Sequence, residues 1–174
     1  MGNTIDEMVL SYAMYEDGSE FMGTTEATLP DLEYMTDTIK GAGISGEITE
    51  IITGYTAAMK TTLNFRTVGK WTMKLLEPRV HNIDLRVAQQ YLDTGTRNTG
   101  VNTVKHVMKI KPVKTTMGKV AAATPADASG EYTVLYYALY VDGKKITEVD
   151  PMNFIHIING VDYLEKIRRS LGKA

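Results

Sequence analysis

Hydrophobic and polar residues alternate through much of this chain, and the alternation marks out its strands. Met59, Thr61, Leu63 and Phe65 interleave with Lys60, Thr62, Asn64 and Arg66, a period of two that gives one buried and one polar face. That run, 57–66, and the strand-favouring residues 48–53 flank Gly54-Tyr55, which predicts a hairpin there. The period then changes. Val68, Trp71, Leu75 and Leu76 fall at helical spacing before Pro78, so a short amphipathic helix is expected over 67–77. Strand character returns over 83–92. After a polar turn at 93–100 it resumes over 103–113, with Val104, His106, Met108 and Ile110 on one face and Lys105, Lys109 and Lys111 on the other. Residues 118–130 read as a loop of small residues.

The strongest strand is 132–141. Tyr132, Val134, Tyr136, Ala138 and Tyr140 are expected to point one way, and Thr133, Leu135, Tyr137, Leu139 and Val141 the other. Both faces are apolar, so the strand should be covered on both sides, one of them by a second subunit if need be. Asp142-Gly143 turns the chain into 144–149, a second predicted hairpin. A C-terminal helix is expected near 161–171, where Val161, Leu164, Ile167 and Leu171 share a face. Asp162 lies near its start, and Arg168 and Arg169 near its end, as the helix dipole favours. Residues 12–34 read as short extended pieces around turns at Glu16-Asp17-Gly18-Ser19 and Leu29-Pro30-Asp31. Gly41-Ala42-Gly43 and Gly46 bracket a flexible loop. The expected fold is mainly β: an antiparallel β-sandwich or barrel with one or two short α-helices. It is read as a single domain, 1–174, with an extended N-terminal region. Several strands would lie at sheet edges, which aggregate unless paired, and which a polymerising subunit can use.

Composition narrows the class. The chain has 174 residues, 43% of them hydrophobic and 23% charged, as a globular protein does. No apolar run approaches the roughly 20 residues of a membrane helix. The start, Met1-Gly2-Asn3-Thr4-Ile5-Asp6, has neither a signal-peptide pattern nor a myristoylation pattern. Without Cys, disulfides, thiolate metal sites and a Cys nucleophile are excluded, and cytosolic synthesis is expected. The net charge of −2 conceals a segregation. Residues 1–50 carry eleven acids and only Lys40, or −10; residues 51–120 carry twelve bases and three acids, or +9. Either acidic and basic solvated faces alternate, or the acidic third of one copy meets the basic middle of the next.

Candidate chemistry is sparse. His81, His106 and His156 are scattered, none with a metal partner at close spacing, and His106 among Val104, Met108 and Ile110 reads as a core or interface residue. Glu148 and Asp150 read as solvated acids beside a turn. The glycines of 41–46 lack the Lys-Ser/Thr ending of a phosphate loop. No Ser stands in a G-x-S-x-G elbow. Lys105, Lys109, Lys111, Lys114 and Lys119 have no interleaved aromatics, which favours a solvated or subunit-contacting face over nucleic-acid binding. No catalytic, cofactor-binding or metal-binding residue is assigned.

The stretch Tyr140-Val141-Asp142-Gly143-Lys144-Lys145-Ile146-Thr147-Glu148-Val149-Asp150 is followed by Asn153. Next come Asn159-Gly160-Val161-Asp162-Tyr163-Leu164-Glu165 and a closing Arg168-Arg169. This ending resembles that of major tail tube proteins of contractile-tailed phages and related tailocins. Ala27-Thr28-Leu29-Pro30 with Gly41-Ala42-Gly43 and Gly46 resembles the family's N-terminal segment, whereas 93–130 departs from it. The resemblance implies six copies per ring, strands joined into one barrel around a channel, and rings stacked head to tail inside a sheath. It implies no active site and no cofactor. Its implied partners are further copies of the chain, the tail sheath protein, a tape measure protein in the lumen, the baseplate and tail terminator, and DNA passing through without sequence-specific binding. Its implied location is a virion tail or tailocin particle assembled in the host cytoplasm. A tube that passes DNA should not present Lys105, Lys109 and Lys111 all unpaired in its lumen, because phosphate contacts bind strongly. Two other readings fit the residues: a type VI secretion-like tube protein, and a monomeric ligand-binding β-sandwich.

Overall fold

The computed structural model describes residues 3–23 and 26–173, so Met1 and Gly2 of the start discussed above, Thr24, Thr25 and Ala174 lie outside it. Its elements in chain order are strands β1 (Thr4–Glu16), β2 (Glu20–Met22), β3 (Glu26–Thr28), β4 (Tyr34–Lys40), β5 (Glu47–Thr56) and β6 (Met59–Phe65), then helix α1 (Lys70–Leu75). There follow β7 (His81–Asp93), β8 (Thr99–Thr116), β9 (Ala128–Val141), β10 (Lys144–Asp150), β11 (Ile155–Ile158), β12 (Val161–Asp162) and helix α2 (Glu165–Ser170). The fold is mainly β and antiparallel, as the alternation requires.

Ten strands form one sheet, whose path runs β12-β11-β10-β9-β8-β7-β1-β2, with β6 joining at β9 and β3 joining β6. The long strands fall where period-two patterning is strongest. On β7, His81, Ile83, Leu85 and Val87 are buried while Asn82 and Arg86 are exposed. On β8 the sequence faces hold: Val104, His106, Met108 and Ile110 are buried opposite Lys105, Lys109 and Lys111. Within this sheet β6, and beside it α1, contribute Leu63 and Leu75 to a core on one face that also includes Met14, Ile83, Met108 and Tyr132.

Strand β9 departs from simple alternation. Lys109 pairs with Tyr136 while the next residue, Ile110, pairs with Val134, so Leu135 is an extra residue, a β-bulge. The bulge exchanges faces. Tyr132 and Val134 point into the core before it, and Tyr137, Leu139 and Val141 join the core after it. Tyr136, Ala138 and Tyr140 therefore turn to the opposite face, not to that of Tyr132 as unbroken alternation predicts. The bulge also divides the strand's partners: 128–134 pairs β6 and 137–141 pairs β10, while β8 runs beside both halves.

Three further expectations change. Residues 48–53 and 57–66 do not form a hairpin; β5 pairs β4 through the glycine loop 41–46, and β6 pairs β3 and β9. Gly54, in the left-handed region at φ +79, instead lies against Leu164, where an added Cβ would fall 2.4 Å from Leu164 Cδ2. Helix 67–77 contracts to the six residues of α1. The C-terminal helix begins only at Glu165, with Leu164 buried but Val161 and Leu171 exposed. Arg168 reaches back from it to Asp162 (2.8 Å) and to the Phe154 carbonyl (2.8 Å), which fixes the C-terminus against β12. The Asp142-Gly143 turn is as predicted, with both residues at positive φ.

The small-residue loop ahead of β9 depends on Gly118. It sits at φ +79, and a Cβ there would meet the Ala126 carbonyl oxygen at 1.9 Å, the same oxygen that accepts from Lys119 N–H at 2.8 Å. Gly118→Ala is expected to lose about 1–3 kcal/mol, read as a lowered midpoint in urea unfolding.

Candidate functional site

Three features stand out when the residues are followed outward from the core. The first is the edge of β1. Along its inner side β1 pairs β7 from Thr4 to Glu16, but on its outer side β2 covers only Met14 to Glu16. Residues 4–13 thus present a backbone edge with no strand partner among the described residues. Ile5, Met8, Val9 and Leu10 on this stretch are 53%, 58%, 55% and 48% exposed. At the far end of the sheet, β11 covers β10 from Thr147 to Asp150 and the Asn159 N–H donates to the Ile146 carbonyl at 2.8 Å, leaving Lys144 and Lys145 as a second, short edge without a strand partner among the described residues.

The second feature is the β4–β5 hairpin, a separate two-stranded sheet. Every residue of β4 is exposed, among them Met35 and Ile39, facing an equally exposed Ile48, Ile51 and Ile52 on β5. Among the described residues it is tied to the body at its root, where Gly54 also lies against Leu164. Tyr34 Oη and His156 Nε2 are 3.1 Å apart, and the Ala57 N–H donates to the Glu33 carbonyl. Burial lowers the affinity of His156 for a proton, against the pull of Asp162. The hairpin carries Asp37, Glu47 and Glu50 against Lys40.

The third is an ion cluster beneath α1. Glu16 is wholly buried; its Oε1 accepts from Arg79 Nη2 at 3.0 Å and lies 2.7 Å from His81 Nδ1, and its Oε2 lies 2.9 Å from Lys74 Nζ. Lys74 also pairs Glu20. Burial works to raise the Glu16 carboxyl, but hydrogen bonds from His81 and Lys74 outweigh it and hold the group below its ordinary value. Acidic N-terminal residues and basic central ones thus meet inside one copy first. Sequence reading left His81 unassigned, and only the β1–β7 register brings it next to Glu16. This cluster braces the fold; its carboxylate is surrounded by cations and has no open side for a substrate.

Elsewhere, His106 is buried with Nδ1 2.9 Å from Tyr137 Oη, a core histidine as read, and burial lowers its proton affinity. His81, His106 and His156 do not come together. Among the described residues no group of His, Asp and Glu could hold a metal ion, and no helix is long and apolar enough to cross a membrane. Lys105 lies 3.8 Å from Asp84 and over the Tyr140 ring, and Lys109 lies over Tyr136.

A sheet with open edges and a projecting apolar hairpin offers surfaces suited to association rather than to catalysis. The chain belongs to the phage tail tube protein FII family, which it matches over residues 6–172. It is 28% identical over 163 residues to the tail tube protein of Escherichia phage P2, covering 91% of this chain and 93% of that protein. In fold it is similar to the sheath/tube terminator of an extracellular contractile injection system, PVC, in its extended state. That likeness has a TM-score of 0.52 at 15% identity and covers 77% of this chain and 96% of the other. The protein is a structural tail tube subunit.

Proposed function

We infer that the protein closes into six-membered rings through the open edge of β1, and that the rings stack head to tail into the inner tube of a contractile tail. The channel so formed would deliver DNA or puncture a membrane, with no catalysis by the subunit. One observation carries this reading: an unpaired strand edge some ten residues long whose apolar side chains lie in solvent. An isolated protomer would be prone to aggregate through such an edge, and pairing it with a neighbour's β10 from Lys144 and Lys145 onward covers it. The same contact repeated around a ring closes it, and stacking that does not close extends without limit. The projecting β4–β5 hairpin suits contact between rings. The sheath, tape measure protein, baseplate and tail terminator are the partners such a tube requires, and the assembled particle, formed in the host cytoplasm, is its location.

Electron microscopy of the purified protein tests this. Wild-type protein is expected to give rings or tubes with a central hole. The double substitution Val9→Lys, Leu10→Lys places two charges at the middle of the edge. It is expected to leave monomers whose stability lies within about 0.5 kcal/mol of wild type, since both sites are exposed. Rings formed by that variant, or monomeric wild-type protein, would refute the edge as the ring contact.

A further inference from the structure

Resting on the ring reading, we propose that the sheet face opposite the core, across β7, β8, the second half of β9 and β10, is the wall of the channel. On this reading its cations are held within each protomer so that a polyanion passes without being gripped. Joining β1 to the next copy's β10 makes the long sheet continuous around a ring, and one of its faces must look inward. The core face is already filled by side chains of the same chain, Met59, Leu63 and Phe65 of β6 and Leu75 of α1 among them, so it cannot border an open channel. A two-layered protomer closes into a ring with its added layer on the larger, outer circumference. The bare face is therefore the inner one.

The chemistry of that face fits transit. Register places Arg86, Lys105, Tyr140 and Lys145 in one row and Tyr15, Asp84, Val107, Ala138 and Glu148 in the next. Lys109 and Tyr136 begin a third row. Asp84 lies 3.8 Å from both Arg86 and Lys105, and Glu148 pairs Lys145 at 3.0 Å. Arg86 covers the Tyr15 ring at 4.3 Å, Lys105 and Lys145 flank Tyr140, and Lys109 lies 5.5 Å from the centre of Tyr136. Tyr136 Oη in turn donates to Glu148 at 2.7 Å. Each cation of these rows thus already has a carboxylate, an aromatic face or both, and is less available to a passing phosphate. Unpaired lysines along the same wall would bind each phosphate they met, in a salt-dependent way. Beyond the bulge, Lys60 and Lys111 flank Thr133 and form no ion pair among the described residues. The proposed wall ends before them.

The chain has no cysteine, so one introduced thiol reports its own surroundings. In tubes of Val107→Cys, a small maleimide is expected to react, while a maleimide on a long polymer reacts at least about tenfold more slowly than with free protomers. Lys109→Cys, at an exposed position of the same face, serves if the first variant assembles poorly. Met73→Cys, exposed on α1 in the covering layer, is expected to take both reagents in tubes. Equal labelling of position 107 or 109 by the polymer reagent in tubes and protomers overturns the wall assignment while leaving the ring reading intact. Failure of unmodified protein to form tubes removes both. A second measurement addresses neutralisation. Tubes of Asp84→Asn, Glu148→Gln are expected to retain a short fluorescent DNA duplex at low salt at least about tenfold more than wild type, and to release it as salt rises. Equal retention overturns that half of the proposal.

Discussion

Replacing Glu16 with alanine is expected to destabilise the protomer by about 3 kcal/mol, measured by chemical denaturation. Removing one partner of a buried ion pair costs roughly 3–5 kcal/mol because the other charge is left without compensation. Here Lys74 and Arg79 reach solvent, with side chains 25% and 42% exposed, whereas His81 stays fully enclosed. That mixture places the cost at the lower end of the range. The loss should also depend on pH in a defined direction. The Glu16 carboxyl is held below its ordinary value, so its contribution is present above the unfolded value of about 4.3. It disappears as pH falls through the folded value. The wild-type stability curve should therefore fall more steeply than that of Glu16→Ala below about pH 4, and the two should converge in acid. Parallel curves would mean that the cluster does not carry the charge described.

Tyr132 offers the second large effect, and a contrast within it. It is the largest of the fully buried side chains, and Tyr132→Ala should cost about 3–5 kcal/mol through the cavity it leaves. Its hydroxyl, however, is buried without a hydrogen-bond partner among the described residues, and burial pushes its pKa up from 10.0 to about 12. An unpartnered buried hydroxyl is a cost that folding bears. Tyr132→Phe should therefore fall within about 1 kcal/mol of wild type or be more stable. The sign with pH follows from the raised value. The tyrosine's contribution is complete below pH 10 and is lost as pH rises towards about 12. The Phe variant should gain on wild type across that interval. A Phe variant as damaged as the Ala variant would show that the hydroxyl is satisfied after all.

Much of the fold is legible in the sequence because a half-buried strand writes its two faces in alternate residues. On β8, Val104 to Ile110 against Lys105 to Lys111 can be read directly, and so can the Asp142-Gly143 turn. What fails is pairing. Strands 48–53 and 57–66 are adjacent in sequence and invite a hairpin, but β5 turns back on β4 through Gly41 to Gly46, and β6 is taken by β3 and β9. Local pattern carries no information about which edge a strand will meet. Most of β1 is exposed and signals no core, so its length of 13 residues is set by β7 beside it. Helices 67–77 and 161–171 shorten for a related reason: a helical spacing of apolar residues needs a surface along its full length, and while Trp71, Leu75 and Leu164 find one, Val68, Val161 and Leu171 are left exposed. The assembly surface is half legible. Segregated charge and edge strands point to association, but the acids at Glu16 and Glu20 are used up within the chain. Only the register shows that.

The bulge at Leu135 makes β9 a strand of two parities. Deleting that one residue would leave the faces as they are, since the inward Val134 would then be followed directly by the outward Tyr136 and the inward Tyr137. Keeping it while flattening the bulge would exchange inside for outside along everything downstream, setting Tyr136 and Tyr140 against Met108 and sending Tyr137 and Leu139 towards the lysines. Related chains should accordingly accept a one-residue deletion at 135 without a change of pattern on either side, and any alignment crossing it must count residues before it matches them.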